Sequence, residues 1–183
     1  MSSNDESTDL GVVNGIQLNI VSVIDFVKAN YSQSLDGCVY MSDNSFKSIN
    51  KGTDSLETVC TQGQVLNWLI FPTNLDELVN PYKYCPTVRI SNIVFLHENG
   101  EVYQEKIFEN LHSYGSLEKG RPYLMPPVYY YWAGNVQVDL PVGKYRYRLV
   151  LELDSFSSPV IKSYLNLDSA SLNVVPLVEP MNR

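Results

Sequence analysis

Hydrophobic and polar side chains alternate along "VGKYRYRLVLEL" (142–153). Tyr145, Tyr147, Leu149, Leu151 and Leu153 fall on one side, and Arg146, Arg148, Val150 and Glu152 on the other. A period of two places successive side chains on opposite faces of a strand. The pattern predicts a strand with its tyrosines and leucines turned into a core. Arg146 and Arg148 then face water or pair with carboxylates on neighbouring strands. A second reading is an arginine ladder that grips a carboxylate or phosphate, since same-face guanidiniums can share one anion.

The same reading extends along the chain. Ile16, Leu18, Ile20, Ser22 and Ile24 share one face, with Val21 and Val23 on the other, so both faces of this strand are expected to be covered. Asp25 is placed to cap a short helix over "DFVKANY" (25–31). Residues 32–37 read as a turn, 38–42 as a short strand and 43–55 as a long polar loop. Two strands, 57–61 and 64–71, flank Gln62-Gly63. "TNLDELVNPYKYCP" (73–86) opens as a helical turn and stops at Asn80-Pro81. Asn99-Gly100 predicts a hairpin between "VRISNIVFLHE" (88–98) and "EVYQEKIFE" (101–109). Residues 110–128 hold two glycines and three prolines and read as a long connection. Further strands are expected up to about Trp132, on either side of "PVG" (141–143), and around 172–175, with "SFSSPVIK" (155–162) as a turn.

Roughly seven to nine short strands with frequent turn signals imply an all-β fold, not alternating βαβ units. The expected architecture is an antiparallel β-sandwich, jelly-roll or Ig-like, with short helical inserts. Residues 16–178 form the single domain, between a flexible 1–15 tail and a 179–183 tail. With 183 residues, such a domain buries roughly 70% of the surface its unfolded chain exposes.

"VYYYWAG" does not fit one core, because neighbours in a strand point in opposite directions. Tyr129 and Tyr131 would share one face, Tyr130 and Trp132 the other. One pair is left to lie under the 110–128 connection, at an interface, or as a platform for sugars. Tyr129, Tyr130, Tyr131 and Trp132 are therefore the candidate interface or ligand platform.

Charge narrows the partners. The net charge is −7 and no basic run occurs, which argues against nucleic acid. No apolar run reaches the ~18 residues of a membrane span. Cys38, Cys60 and Cys85 are odd in number and lack CxxC spacing, which points to buried thiols in a reduced, cytoplasmic setting. His97 and His112, the two histidines, lie in no HxH or HExxH pattern. No GxSxG elbow, GxGxxG or P-loop is present. The carboxylates of "DELVNP" and "DSFSS" lack the spacing of a calcium loop. Nothing in the chain calls for a cofactor or a metal, and a non-enzymatic protein is expected.

Several stretches, in order, resemble the AidA/PixA family of bacterial inclusion body proteins. "VIDFVKANY" (23–31) resembles the family's opening strand and its Lys-Ala-Asn-Tyr segment. "GQVLNWLIFP" (63–72) is similar to its Gly-Asp-x-Val-x-Trp strand at Gly63 and Trp68, with Gln64 in place of the Asp. "YRYRLVLELD" (145–154) is similar to a late strand. "SYLNLDSASLNV" (163–174) matches the closing segment at Tyr164, Asp168, Leu172 and Val174, with Leu167 and Ser169 where Trp and Pro are typical. The resemblance implies an antiparallel sandwich and a soluble bacterial protein that self-associates as a homo-oligomer or binds a partner. That partner would be a glycan or a host protein, with roles in host interaction or cytoplasmic inclusions. It carries no catalytic residues over. The four methionines are few beside the Met-rich, inclusion-forming members.

Overall fold

The computed structural model describes residues 17–73, 87–115, 130–155 and 158–177. Ten strands and one helix appear among them. One sheet, here sheet A, has the order β2 (Val39–Asp43), β1 (Leu18–Asp25), β4 (Val65–Thr73), β7 (Tyr131–Val136), β6 (Phe108–Tyr114). Sheet B runs β3 (Glu57–Thr61), β10 (Ser171–Val175), β8 (Gly143–Ser155), β5 (Val88–Leu96), with β9 (Ser158–Leu167) paired to the second half of β8.

Alternation in β8 holds as read. Tyr145 is 6% exposed, and Tyr147, Leu149, Leu151 and Leu153 are fully buried. Opposite them, sheet A contributes Leu18, Ile20, Ile24, Leu66, Trp68 and Ile70. At the centre Trp68 meets the edges of Phe108 (5.3 Å) and Tyr147 (6.1 Å), and Phe95 stacks on Phe108. Large aromatics from both sheets thus fill one apolar layer, where truncating such a side chain costs ~3–5 kcal/mol.

Two strand pairs correct the all-antiparallel expectation: β1 runs parallel to β4, and β3 parallel to β10. Between β1 and β4 the chain reverses at the helix and again at the Gln62-Gly63 turn, so β4 ends up running with β1. Gly63 takes φ 74° there, which favours a residue without Cβ. The helix, α1 (Phe26–Ser32), forms where the capping residue predicts. The Asp25 side chain accepts from the Lys28 N–H at 3.0 Å, and Asn30 Nδ2 donates to the Asp154 carbonyl at 2.7 Å.

Three other expectations change. The Asn99-Gly100 turn closes, with the His97 N–H on the Glu101 carbonyl at 2.8 Å and Gly100 at φ 84°. Its return limb makes only an isolated bridge, Leu96 to Val102. Gln104, Glu105 and Lys106 are consecutive exposed residues that no period-two strand buries, and the chain crosses to sheet A instead. Second, the front of the 110–128 connection belongs to β6. This edge strand hides from the pattern because Glu109, Asn110, His112, Ser113 and Tyr114 are all exposed. Third, "SFSSPVIK" is not all turn, because β9 begins at Ser158 on the far side of a hairpin from β8. The helical opening expected from 73 and Cys85 fall at 74–86, outside the described residues. So do the 1–15 and 179–183 tails and residues 116–129 of the expected connection.

Candidate functional site: a neutral groove on sheet A

Registration across sheet A dictates what its outer face carries. One cross-strand row is Val65–Asn135–Glu109 and the next is Asn19–Asn67–Ala133–His112. Below them lies Val21–Leu69–Tyr131–Tyr114. Small Ala133 in the middle leaves a hollow between taller neighbours. The result is a groove of about 580 Å³, inside the ~300–1,000 Å³ range of ligand sites.

Amides line one side of it. Asn67, 9% exposed, donates through Nδ2 to Asn19 Oδ1 at 2.8 Å and to Gln17 Oε1 at 3.2 Å. Asn44 fixes that strand end by accepting from the Asn19 N–H at 2.8 Å and donating to the Gln17 carbonyl at 3.1 Å. Asn67 therefore turns its carbonyl oxygen, not its amino group, toward new partners. Asn135 and Asn110 add further amides. Asn110 sits at a bulge between Glu109 and His112 and holds φ 53°, a left-handed conformation that Asn tolerates better than most residues.

Tyrosines form the other side. Tyr114 and Tyr131 stack with centroids 5.2 Å apart and ring planes within 14°. Neither phenol makes a hydrogen bond among the described residues. Among the described residues no Asp, Glu, Lys, Arg or His lines the groove itself, although Glu109 and His112 stand beside it on β6, opposite Asn135 and Ala133, and the His112 ring packs 4.3 Å from Tyr114. Such a surface can stack on an apolar ring face and exchange neutral hydrogen bonds.

Of the four aromatic candidates three are described, and they take up different places in the fold. Tyr129 lies outside the described residues. Tyr130 is half-buried beneath the Arg89 guanidinium, 5.9 Å from its ring centroid. Trp132 turns inward, and its Nε1 donates to the Ile90 carbonyl of β5 at 2.7 Å, across the sandwich. Ile90 adjoins a bulge in β5, which frees that carbonyl from the ladder with β8. Of the three described, Tyr131 alone lines the groove. Sequence reasoning missed Gln17, Asn19, Asn67, Asn110, Asn135 and Tyr114. The available signal was Asn67 inside "VLNWLIF", since Asn is disfavoured in strands unless it has work on the exposed face.

On the outer face of sheet B charges are already matched. Arg148 grips Asp168 through Nε (2.6 Å) and Nη2 (2.5 Å), which holds the Asp168 carboxyl below its usual range. Arg146 donates to the carbonyls of Glu98 and Asp168. The arginine ladder is thus engaged within the fold. Glu152 is 4% exposed and accepts from Arg89 (2.6 Å) and Tyr164 (3.1 Å), with Lys162 at 3.6 Å. Burial alone would raise its pKa, but these partners outweigh burial and hold it below the ordinary value. Asp154 accepts from the Thr87 N–H and hydroxyl at 2.9 Å each and pairs with Lys162. Burial pushes the Cys60 thiol up to about 12 and raises Cys38 as well, so neither is poised as a nucleophile. Among the described residues no group of three or more His, Cys, Asp or Glu could hold a metal ion, and no helix is long and apolar enough to cross a membrane.

These features define a mostly-β chain of two facing mixed sheets with an uncharged groove on one sheet face. Residues 16–158 match the model of the family described as Domain of unknown function (DUF8788), and the chain belongs to that family. Among solved structures it is similar to the inclusion body protein PixA from Burkholderia cenocepacia J2315, at TM-score 0.54 and 11% identity. That match covers 87% of this chain and 94% of the PixA chain. The likeness to AidA/PixA proteins therefore holds at the level of the fold. No curated protein matches in sequence.

Proposed function

We propose that this protein is a non-enzymatic binding protein of PixA-like fold, and that it holds its ligand in the groove on sheet A. The observation that carries this reading is the collection of amides and two stacked tyrosines in an uncharged hollow, with phenols that have no partner among the described residues. Strands on a packed sheet also hold such groups more rigidly than loops would.

The same face supports a second reading, self-association. Below the groove Tyr40, Val23 and Phe71 form one cross-strand row, and Tyr40 and Phe71 are 51% and 36% exposed. An apolar row beside a polar one suits a second copy of the chain, in keeping with the printed description of the PixA neighbour as an inclusion body protein.

One experiment addresses both. The ¹⁵N-labelled chain is followed by NMR as it is diluted, and then as neutral oligosaccharides, nucleotides, amino acids and short fatty acids are added. The binding reading expects one probe class to shift the side-chain amides of Asn67 and Asn135 and to be recovered unaltered. Self-association expects shifts on dilution around Tyr40, Val23 and Phe71. Conversion of a probe, or shifts confined to other surfaces, would overturn the reading.

A further inference from the structure

The chemistry of the groove narrows its ligand. We infer that it takes a neutral saccharide, a conclusion that rests on the groove being the binding site. Three observations converge. First, among the described residues no Lys or Arg lines the groove or shares its cross-strand rows, and Glu109 beside it adds negative charge, so phosphate and carboxylate ligands find no fixed positive partner. Second, the polar groups are amides, which offer a donor and an acceptor side by side and so match pairs of adjacent hydroxyls. Asn67 is oriented in advance: its Nδ2 is held by Asn19 and Gln17, and its carbonyl oxygen is left to accept from a hydroxyl. Third, Tyr131, steadied by stacking on Tyr114, which itself packs against His112, supplies an apolar ring for the C–H face of a sugar, with a hydroxyl at its edge. A lipid chain would bury the amides without satisfying them, at a cost of about 1–3 kcal/mol per group.

Among the described residues no group of three or more His, Cys, Asp or Glu could hold a metal ion, which separates this site from calcium-bridged sugar binding. The sugar contacts the protein directly, and its binding is independent of calcium.

The test uses the full chain on an array of neutral oligosaccharides built from hexoses, N-acetylhexosamines and deoxyhexoses, beside sialylated and sulfated versions, with calcium and with EDTA. The best neutral binder is then titrated against Tyr131→Ala, Asn135→Asp and Ile161→Ser. Asn135→Asp is isosteric and exposed, so the fold survives it, while a charge enters the groove. Binding to neutral glycans, equal in calcium and EDTA, weakened at least tenfold by the first two substitutions and unchanged by Ile161→Ser on distant β9, is the expected result. A blank array, preference for charged glycans, or neutral binding that both groove variants leave intact would overturn the inference. A blank array together with another probe class shifting Asn67 and Asn135 would reject the saccharide and keep the groove. Neutral sugars that bind while shifting other surfaces would reject the groove itself.

Discussion

At the scale of single residues, the clearest contrast is between amides left open and charges fully matched. Glu152 shows the second case. Its carboxylate lies on the outward side of β8 yet is 4% exposed, because Arg89, Tyr164 and Lys162 close over it. Its pKa in the folded protein lies below the ordinary carboxylate value, so its contribution to stability is present above that value and is lost as pH falls through the folded pKa. Arg89→Met should cost about 2–3 kcal/mol at pH 7. This is less than the ~3–5 kcal/mol of a fully buried pair, since Lys162 remains and Arg89 is partly exposed. Denaturant unfolding at pH 7 and at an acid pH below the folded pKa of Glu152 checks this: the gap between variant and wild type should narrow in acid, once Glu152 is protonated in the wild type as well. A gap of equal size at both pH values would show that Arg89 acts by packing alone. The pairing of arginines with carboxylates was legible from the alternation of β8. The burial of Glu152 was not, because it depends on side chains from β5 and β9, strands brought together only by the fold.

Among the elements, β8 was the most legible and β6 the least. A central strand with one face in the core writes a period of two into its sequence. An edge strand with a bulge and mostly exposed side chains does not, and β6 is of that kind. The residues that carry the family resemblance explain a further limit. Asp25 caps α1, Gly63 makes the turn between the sheets, Trp68 fills the core and Asp168 holds Arg148. All four are structural, so they announce the fold and are silent on the ligand. The β6–β7 pair is also where fold and groove meet most tightly. A Cβ added at Gly134 would lie 3.0 Å from Leu111 Cα and 3.1 Å from its Cβ, a contact the backbone must move to relieve. Gly134→Ala should therefore destabilise by about 1–2 kcal/mol and displace Tyr114 from Tyr131. Thermal unfolding and saccharide titration read the two effects together. An unchanged melting temperature with unchanged binding would mean that β6 yields freely and does not set the groove.

For the whole molecule, the tyrosines divide by sheet face. The sandwich buries Tyr145 and Tyr147 between its layers and leaves Tyr40, Tyr114 and Tyr131 on the outside of sheet A. That outer face grades from amides at one end, through the tyrosine pair, to the apolar Tyr40–Val23–Phe71 row. The proposed binding and self-association both fall on this one surface and require it to meet water. The direct measurement is ¹⁹F NMR of the chain labelled with 3-fluorotyrosine, with a soluble gadolinium chelate to broaden exposed rings. The account predicts broadening of Tyr40, Tyr114 and Tyr131, sharp signals from Tyr145 and Tyr147, and protection of Tyr114 and Tyr131 when a bound neutral oligosaccharide is added. A Tyr131 signal that stays sharp before any ligand is present, or a Tyr147 signal that broadens, would contradict it.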